Sequence, residues 1–480
     1  MQRLFVLFPL GIAVLAALAP LPKLFTIEAY RGPLDFLSDR RTLFDLYNAT
    51  VAALALLYVV LFVTGNRPAF NIQRLVDLSV FMLVVIAVSY PVVYDPLAYH
   101  YAVKLWLHEG INVYTEMLDA HKEIPFPVVS YPVNHNYHRG PIWLLLTSLV
   151  FVLTAGNFVA FLLALRLLAA GGLAAIIGIL KRCFDVHLSP GELLFFLGFN
   201  PIVLIFLLNG GHQEALLSLL MLGSFVFARR QQVFAATLLL GLAALNKVSA
   251  WPLVLLLGAW LVGDQRDSRA RIRAIGMMAA AALLIAIPLY LIFGFSPEYL
   301  SGVQQWTARE RESFASLSGS IVLPLSHSGL TFDRDALRSV LRMGLYALNL
   351  GLVGLFSLQH LRGAKFETLA RNSWLVLLLN PYLTDIGVRP WYLLPAVFLA
   401  PLLGQGERRL TAVVSSLAVL AGVPFSYVMF THGQLRFLFY AGAQIVGHLL
   451  PTLLLLGYLL HAARSRSPRQ QGAVSLPQNV

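Results

Sequence analysis

Charge is what this chain has least of. Asp, Glu, Lys and Arg make up 12% of its 480 residues, roughly half the share in an ordinary soluble domain, about 25%. Hydrophobic residues make up 58% and mean hydropathy is +0.74. With apolar runs along the whole length, this excludes a soluble globular protein and indicates a polytopic membrane protein. Cysteine is almost missing: Cys183 alone permits neither an internal disulfide nor a cysteine metal cluster. No phosphate loop or dinucleotide fingerprint occurs, and glycines such as those of AAGGLAAIIG read as helix-packing glycines. A nucleotide-activated substrate is therefore not expected. No clear internal repeat is seen, which argues against the common transporter architecture. Acidic residues are scarce too, 23 against 35 basic, for a net charge of +12. In a soluble protein that excess would suggest nucleic acid. Here it sits in short loops and a basic tail, as the positive-inside rule requires, so no nucleic-acid partner is expected.

What is present is a series of apolar runs. Spans are predicted near 4–22, 49–64, 75–93, 157–180, 191–208, 212–228, 233–246, 250–263, 272–293, 338–358, 373–383, 390–404, 410–430 and 437–461. The first resembles a signal peptide with ALA at 17–19 as its cleavage site, but Pro20 would follow the cut directly, so an uncleaved span is expected. Basic loops at 181, 229, 264, 361 and 407 and the tail RSRSPRQ read as cytoplasmic. The run PIWLLLTSLVFVLTAG, 141–156, breaks the parity if it crosses. A juxtamembrane or re-entrant helix restores it. The expectation is an all-α bundle of about fourteen spans over residues 1–463, with both termini cytoplasmic and residues 464–480 a disordered basic tail. Juxtamembrane helices would lie in the first large outer loop, 94–156, and a second outer loop would span 294–337.

That topology gathers the unusual polar residues on one face. In YDPLAYHYAVKLWLHEG, 94–110, Asp95 and Pro96 form a good helix start and Gly110 a good stop. Tyr99 shares the face of Asp95, Trp106 lies further along, and Leu97, Ala98, Tyr101 and Leu105 are expected at the bilayer boundary. Asp95 is then either a cap or a chemical acid. YPVNHNYHRGP, 131–141, crowds His135, His138 and Arg139 beside Tyr131 and Tyr137, a cluster that needs water or a ligand. LNGGHQEALLSLL puts His212 and Glu214 at the outer end of a span. LAALNKVSAWP puts Lys247 in a nearly charge-free run, either snorkelling or binding a phosphate at headgroup level. NPYLTDIGVRPWYLLP adds Asp385, Arg389 and Trp391. An acid, several cations and aromatic platforms together suit a hydroxyl proton, a phosphate and a sugar.

The acid after an early span, followed by a tyrosine and a glycine–tyrosine close in DPLAYHYAVKLWLHEGINVY, resembles the first outer loop of GT-C type membrane glycosyltransferases. The stretch from GGHQEALLSLL through LNKVSAWP is similar to their central region, and RPWYLLP to a late outer loop; the likeness spans about residues 75–400. The resemblance implies an inverting, mannosyltransferase-like hexosyl- or pentosyltransferase of the cell envelope, fed by a polyprenyl-phosphate-linked sugar. Its acceptor would be a glycan, lipid or protein. The site would face the periplasm from a bacterial inner membrane. Asp95 matches the catalytic base and Lys247 a lipid-phosphate contact. Arg139, Arg389, His135, His138, Tyr99, His212, Glu214 and Trp391 are further candidates for substrate binding. Leu97 stands where some relatives carry a second acid, so Asp-x-Asp is missing, no metal ligands are assigned, and a divalent metal is possible but not indicated. A periplasmic glycan polymerase or ligase, or a lipid-linked-sugar transporter or flippase, are the alternatives. The polymerase or ligase would more often place its arginines in a large late loop.

Overall fold

The computed structural model describes residues 40–63, 94–116, 137, 139–184, 186–294, 316–327, 331–384, 389–428 and 441–465. The spans expected at 4–22 and 75–93, together with His135, His138, Asp385 and the tail beyond Ser465, lie outside them. Helices and turns make up the described residues, with no strand among them. The helices are α1 (Arg40–Val63), α2 (Tyr94–His108), α3 (Pro141–Leu153), α4 (Phe158–Cys183), α5 (Pro190–Gly198), α6 (Glu214–Arg229), α7 (Val233–Asn246), α8 (Trp251–Gly263) and α9 (Ser268–Phe293). After them come α10 (Leu317–His327), α11 (Arg334–Leu361), α12 (Phe366–Leu383), α13 (Leu394–Leu399), α14 (Gln405–Val428) and α15 (Leu450–Ser465). One π-helical turn, Val203–Asn209, follows α5, and another, Ile445–Leu449, precedes α15.

Local chemistry sets many boundaries. Asn157 caps α4 by accepting from the Ala160 N–H, and Ser189 and Glu192 close a capping box on α5, where Pro190 takes the first position. Asp267 and Asp333 cap α9 and α11. Lys181, Arg182 and Arg229 fall in last turns, where cations meet the negative helix end. Gly110 ends α2 as expected: its φ is +69°, and the Ile111 N–H reaches back to the Leu105 carbonyl at 3.1 Å, which satisfies one of the last carbonyls of the helix.

Among the described residues, four helical stretches are long and apolar enough to cross a membrane: 160–183, 268–293, 334–361 and 441–461. A fifth results if Pro190–Gly198 and Val203–Asn209, bent by 77°, count as one span. The other apolar helices are shorter. α3 has 13 residues, about 20 Å against a hydrocarbon core of about 30 Å. Ala155 (φ 48°) and Gly156 (φ 69°) then turn the chain into α4. The flanks of α9 and α11 are strongly exposed and apolar, with Leu291 and Leu350 among the most open. Exposed apolar flanks of this kind, on a protein of this composition, suit a lipid environment. α8 lies beside both helices; with the turn that precedes it, it presents an exposed apolar column, Val248, Trp251 and Leu255, which begins next to Lys247.

The main core joins α4 to α8 with α12 to α14 around Trp374, Phe196, Phe225 and Phe398. A second cluster, Tyr99, Tyr101, Leu105, Trp143, Leu144 and Phe161, fastens α2 and α3 onto α4. This corrects the expectation for α2. Tyr101 and Leu105 do not face the bilayer; they are buried, because α3 and α4 cover that side.

Candidate active site

Asp95 lies in the first turn of α2, half-buried. Its Oδ2 accepts from the Arg139 guanidinium at 2.8 Å. Arg139 is buried and lies 5.8 Å from the centre of the Tyr99 ring, so the i+4 pair on α2 meets one cation. Gly140 fixes that arrangement. Its N–H donates to the Asn246 carbonyl at 3.2 Å, and a Cβ at this position would drive into the backbone of Leu245 and Asn246. No side-chain rotation relieves a clash with backbone. Gly140→Ala should therefore cost about 1–3 kcal/mol, as overpacking does, and move Arg139 away from Asp95. A melting curve in detergent and transfer activity both equal to wild type would refute this.

The second wall comes from the turn into α6. The π-helical turn ends at Asn209, Gly211 (φ +58°) reverses the chain against Leu165, and His212, Gln213 and Glu214 follow, all buried. His212 Nδ1 lies 3.2 Å from Asp95 Oδ2 and 3.5 Å from Glu214 Oε2. Glu214 Oε1 is paired with the Lys247 ammonium. With its amide oxygen turned to Arg139, Gln213 accepts from that guanidinium at 3.2 Å and donates to the Asn246 carbonyl at 3.3 Å.

Lys247 occupies the break between α7 and α8 in an extended conformation (φ −154°, ψ 133°), which throws it out of the helical run. Its Nζ lies 4.2 Å from the centre of the Tyr392 ring. The late loop supplies the remaining wall: Arg389 stands 5.7 Å from the Trp391 ring, and Trp391 lies 4.9 Å from His212. The site thus joins two carboxylates to three cations, Arg139, Lys247 and Arg389. Burial by itself would raise the Asp95 carboxyl. Arg139, helped by His212, Lys247 and Arg389, outweighs it and holds Asp95 below the usual carboxylate range. Among the described residues no group of three or more His, Cys, Asp or Glu side chains is arranged to hold a metal ion.

Asp95, Tyr99, Arg139, His212, Glu214, Lys247, Arg389 and Trp391, expected from the sequence, are brought together from five stretches of chain. Gln213, Asn246 and Tyr392 join them, each adjoining a residue expected from the sequence, and Trp143 backs Tyr99 at 5.3 Å between ring centres. Arg166 was missed in the sequence. It is buried in α4 and donates to the Asn209 carbonyl and to Asn209 Oδ1, each at 2.9 Å, behind the turn that carries His212. An arginine inside an apolar span was the signal.

Residues 29–264, just under half of the chain, match the family model described as alpha-(1->6)-mannopyranosyltransferase, N-terminal domain. The matched region holds Asp95, Arg139, His212, Glu214 and Lys247. The match supports glycosyltransferase activity, and the apolar helices support a membrane protein. No curated protein and no solved structure matches the chain.

Proposed function

We propose that this protein is an inverting glycosyltransferase of the GT-C type. It moves a mannosyl-type sugar from a polyprenyl-phosphate donor to an acceptor hydroxyl on the periplasmic face of a bacterial inner membrane. The family match supports the sugar and the transferase class. The observation that carries the chemistry is Asp95, held through Oδ2 while Oδ1 enters none of these contacts, beside a surplus of cation. Oδ1 takes the proton of the acceptor hydroxyl as that oxygen attacks the anomeric carbon. The bond from the anomeric carbon to phosphate breaks on the opposite side, its electron pair leaves with the polyprenyl phosphate, and configuration inverts. Phosphate is already a competent leaving group and needs charge stabilisation more than a proton. Arg139, Lys247 and Arg389 are suited to provide it.

The test incubates purified protein with a panel of polyprenyl-phosphate sugars, mannose first, and measures free lipid phosphate. Release above the protein-free rate with at least one donor is expected; release from none would overturn the reading. The same reading keeps about fourteen crossings, with the short helices among them. Reporters fused near residues 120 and 325 should then read periplasmic, and reporters near 268 and at the C-terminus cytoplasmic. Residues 120 and 268 on one side would sink that topology.

A further inference from the structure

We infer that His212 is a positioning residue for Asp95, holding the carboxylate through Oδ2, and is not itself a contact for substrate. The inference rests on reading Asp95 as the base. The ring packs against two aromatic side chains and the backbone at Gly210. Trp391 lies 4.9 Å from it between centroids and inclined by 32°, and Phe206 stands 6.5 Å away. The Nε2 edge is turned to Gly210: a Cβ there would stand 2.5 Å from Cδ2 and 3.2 Å from Nε2. The side chain has no exposure, so in this arrangement Nε2 is shut off from solvent, and it has no hydrogen-bond partner.

The remaining polar atom is Nδ1, set between Asp95 Oδ2 at 3.2 Å and Glu214 Oε2 at 3.5 Å. Carboxylate oxygens only accept, so the neutral ring carries its proton on Nδ1 and presents it to both. Neither contact is well aligned as a hydrogen bond; catalytic hydrogen bonds often tighten only when substrate is in place. With Arg139 and His212 both on Oδ2, Oδ1 is the oxygen left to act. The other groups facing this carboxylate are Lys247 from the break between α7 and α8, Arg389 from the late loop, Glu214 beyond His212, and Tyr99 on its own helix.

Three variants separate the roles. The amide nitrogen of Asn can stand in for Nδ1, whereas that of Gln reaches the position of Nε2. His212→Phe and His212→Gln should lower kcat by about 10–100-fold, the range found where a group that orients metal-binding side chains from behind is removed, with KM for donor and acceptor within about twofold. The acid limb of their pH–kcat/KM profile should move to higher pH, because Asp95 has lost a donor that favours its ionised form. His212→Asn should recover most of kcat and return the limb. A raised KM at unchanged kcat would make His212 a substrate contact. Equal losses in all three variants with an unmoved acid limb would make it a packing residue. Either result overturns the inference. Failure of the reaction itself is distinct: wild-type protein would then release lipid phosphate from no donor, which overturns both readings.

Discussion

Asp95→Asn should insert, fold and bind donor, yet transfer sugar about 10²–10⁴ times more slowly than wild type, the typical loss when a general base is removed. The amide oxygen can still accept from Arg139, so the packing of α2 against the segment before α3 survives, but an amide cannot take the hydroxyl proton. Asp95→Glu should be impaired as well, because one more methylene misplaces the carboxylate against the acceptor oxygen. The pH dependence follows from the lowered Asp95. Transfer should persist down through the reference carboxylate pKa of about 3.9 and fail only below it. The pairing adds stability above that unfolded value, lost as the pH falls through the lower folded one. Arg139→Gln should move the activity limb upward. Turnover of Asp95→Asn within a few-fold of wild type, with intact folding, would reduce Asp95 to a structural partner of Arg139 in the first turn of α2.

Lys247→Ala should be the second severe lesion, for two separable reasons. Its partner Glu214 has no exposure, and removing one member of a buried pair typically costs about 3–5 kcal/mol because the other charge is left uncompensated. Donor affinity should fall too, if the ammonium also meets the lipid phosphate. The double variant Lys247→Ala/Glu214→Gln distinguishes the effects: removing both charges should restore most of the melting temperature but not donor binding. Lys247→Arg should keep part of the binding, since charge survives without the same geometry. Should the double variant regain donor affinity along with stability, Lys247 would be a structural partner of Glu214 alone.

The helices among the described residues were legible because apolar runs in lipid leave the backbone few other ways to satisfy its hydrogen bonds. The stop at Gly110 and the break at Lys247 were legible as single-residue signals, a glycine free to adopt positive φ and a charge before Trp251–Pro252. The face of α2 was not. Tyr101 and Leu105 look lipid-directed on a helical wheel, and only α3 and α4, arriving about forty to sixty residues later, decide that they are covered. The identity of the polar residues could be read, but their pairing could not. Glu214 and Lys247 looked like two independent outer-face groups until α6 and α7, packed side by side, joined them. Gly140 carried no local signal beyond preceding a proline, because its need for glycine comes from a carbonyl more than a hundred residues away.

The column Val248, Trp251 and Leu255, at the turn before α8 and its first turns, starts next to Lys247 and is exposed at each of its three residues. Under the proposed chemistry, a long isoprenoid chain can lie along that column while its headgroup rests at the lysine. Delivery is then a search in two dimensions within the leaflet. The encounter rate would follow the surface density of donor among the lipids, not its bulk concentration. Diluting the donor with inert phospholipid at constant total amount should slow turnover in proportion.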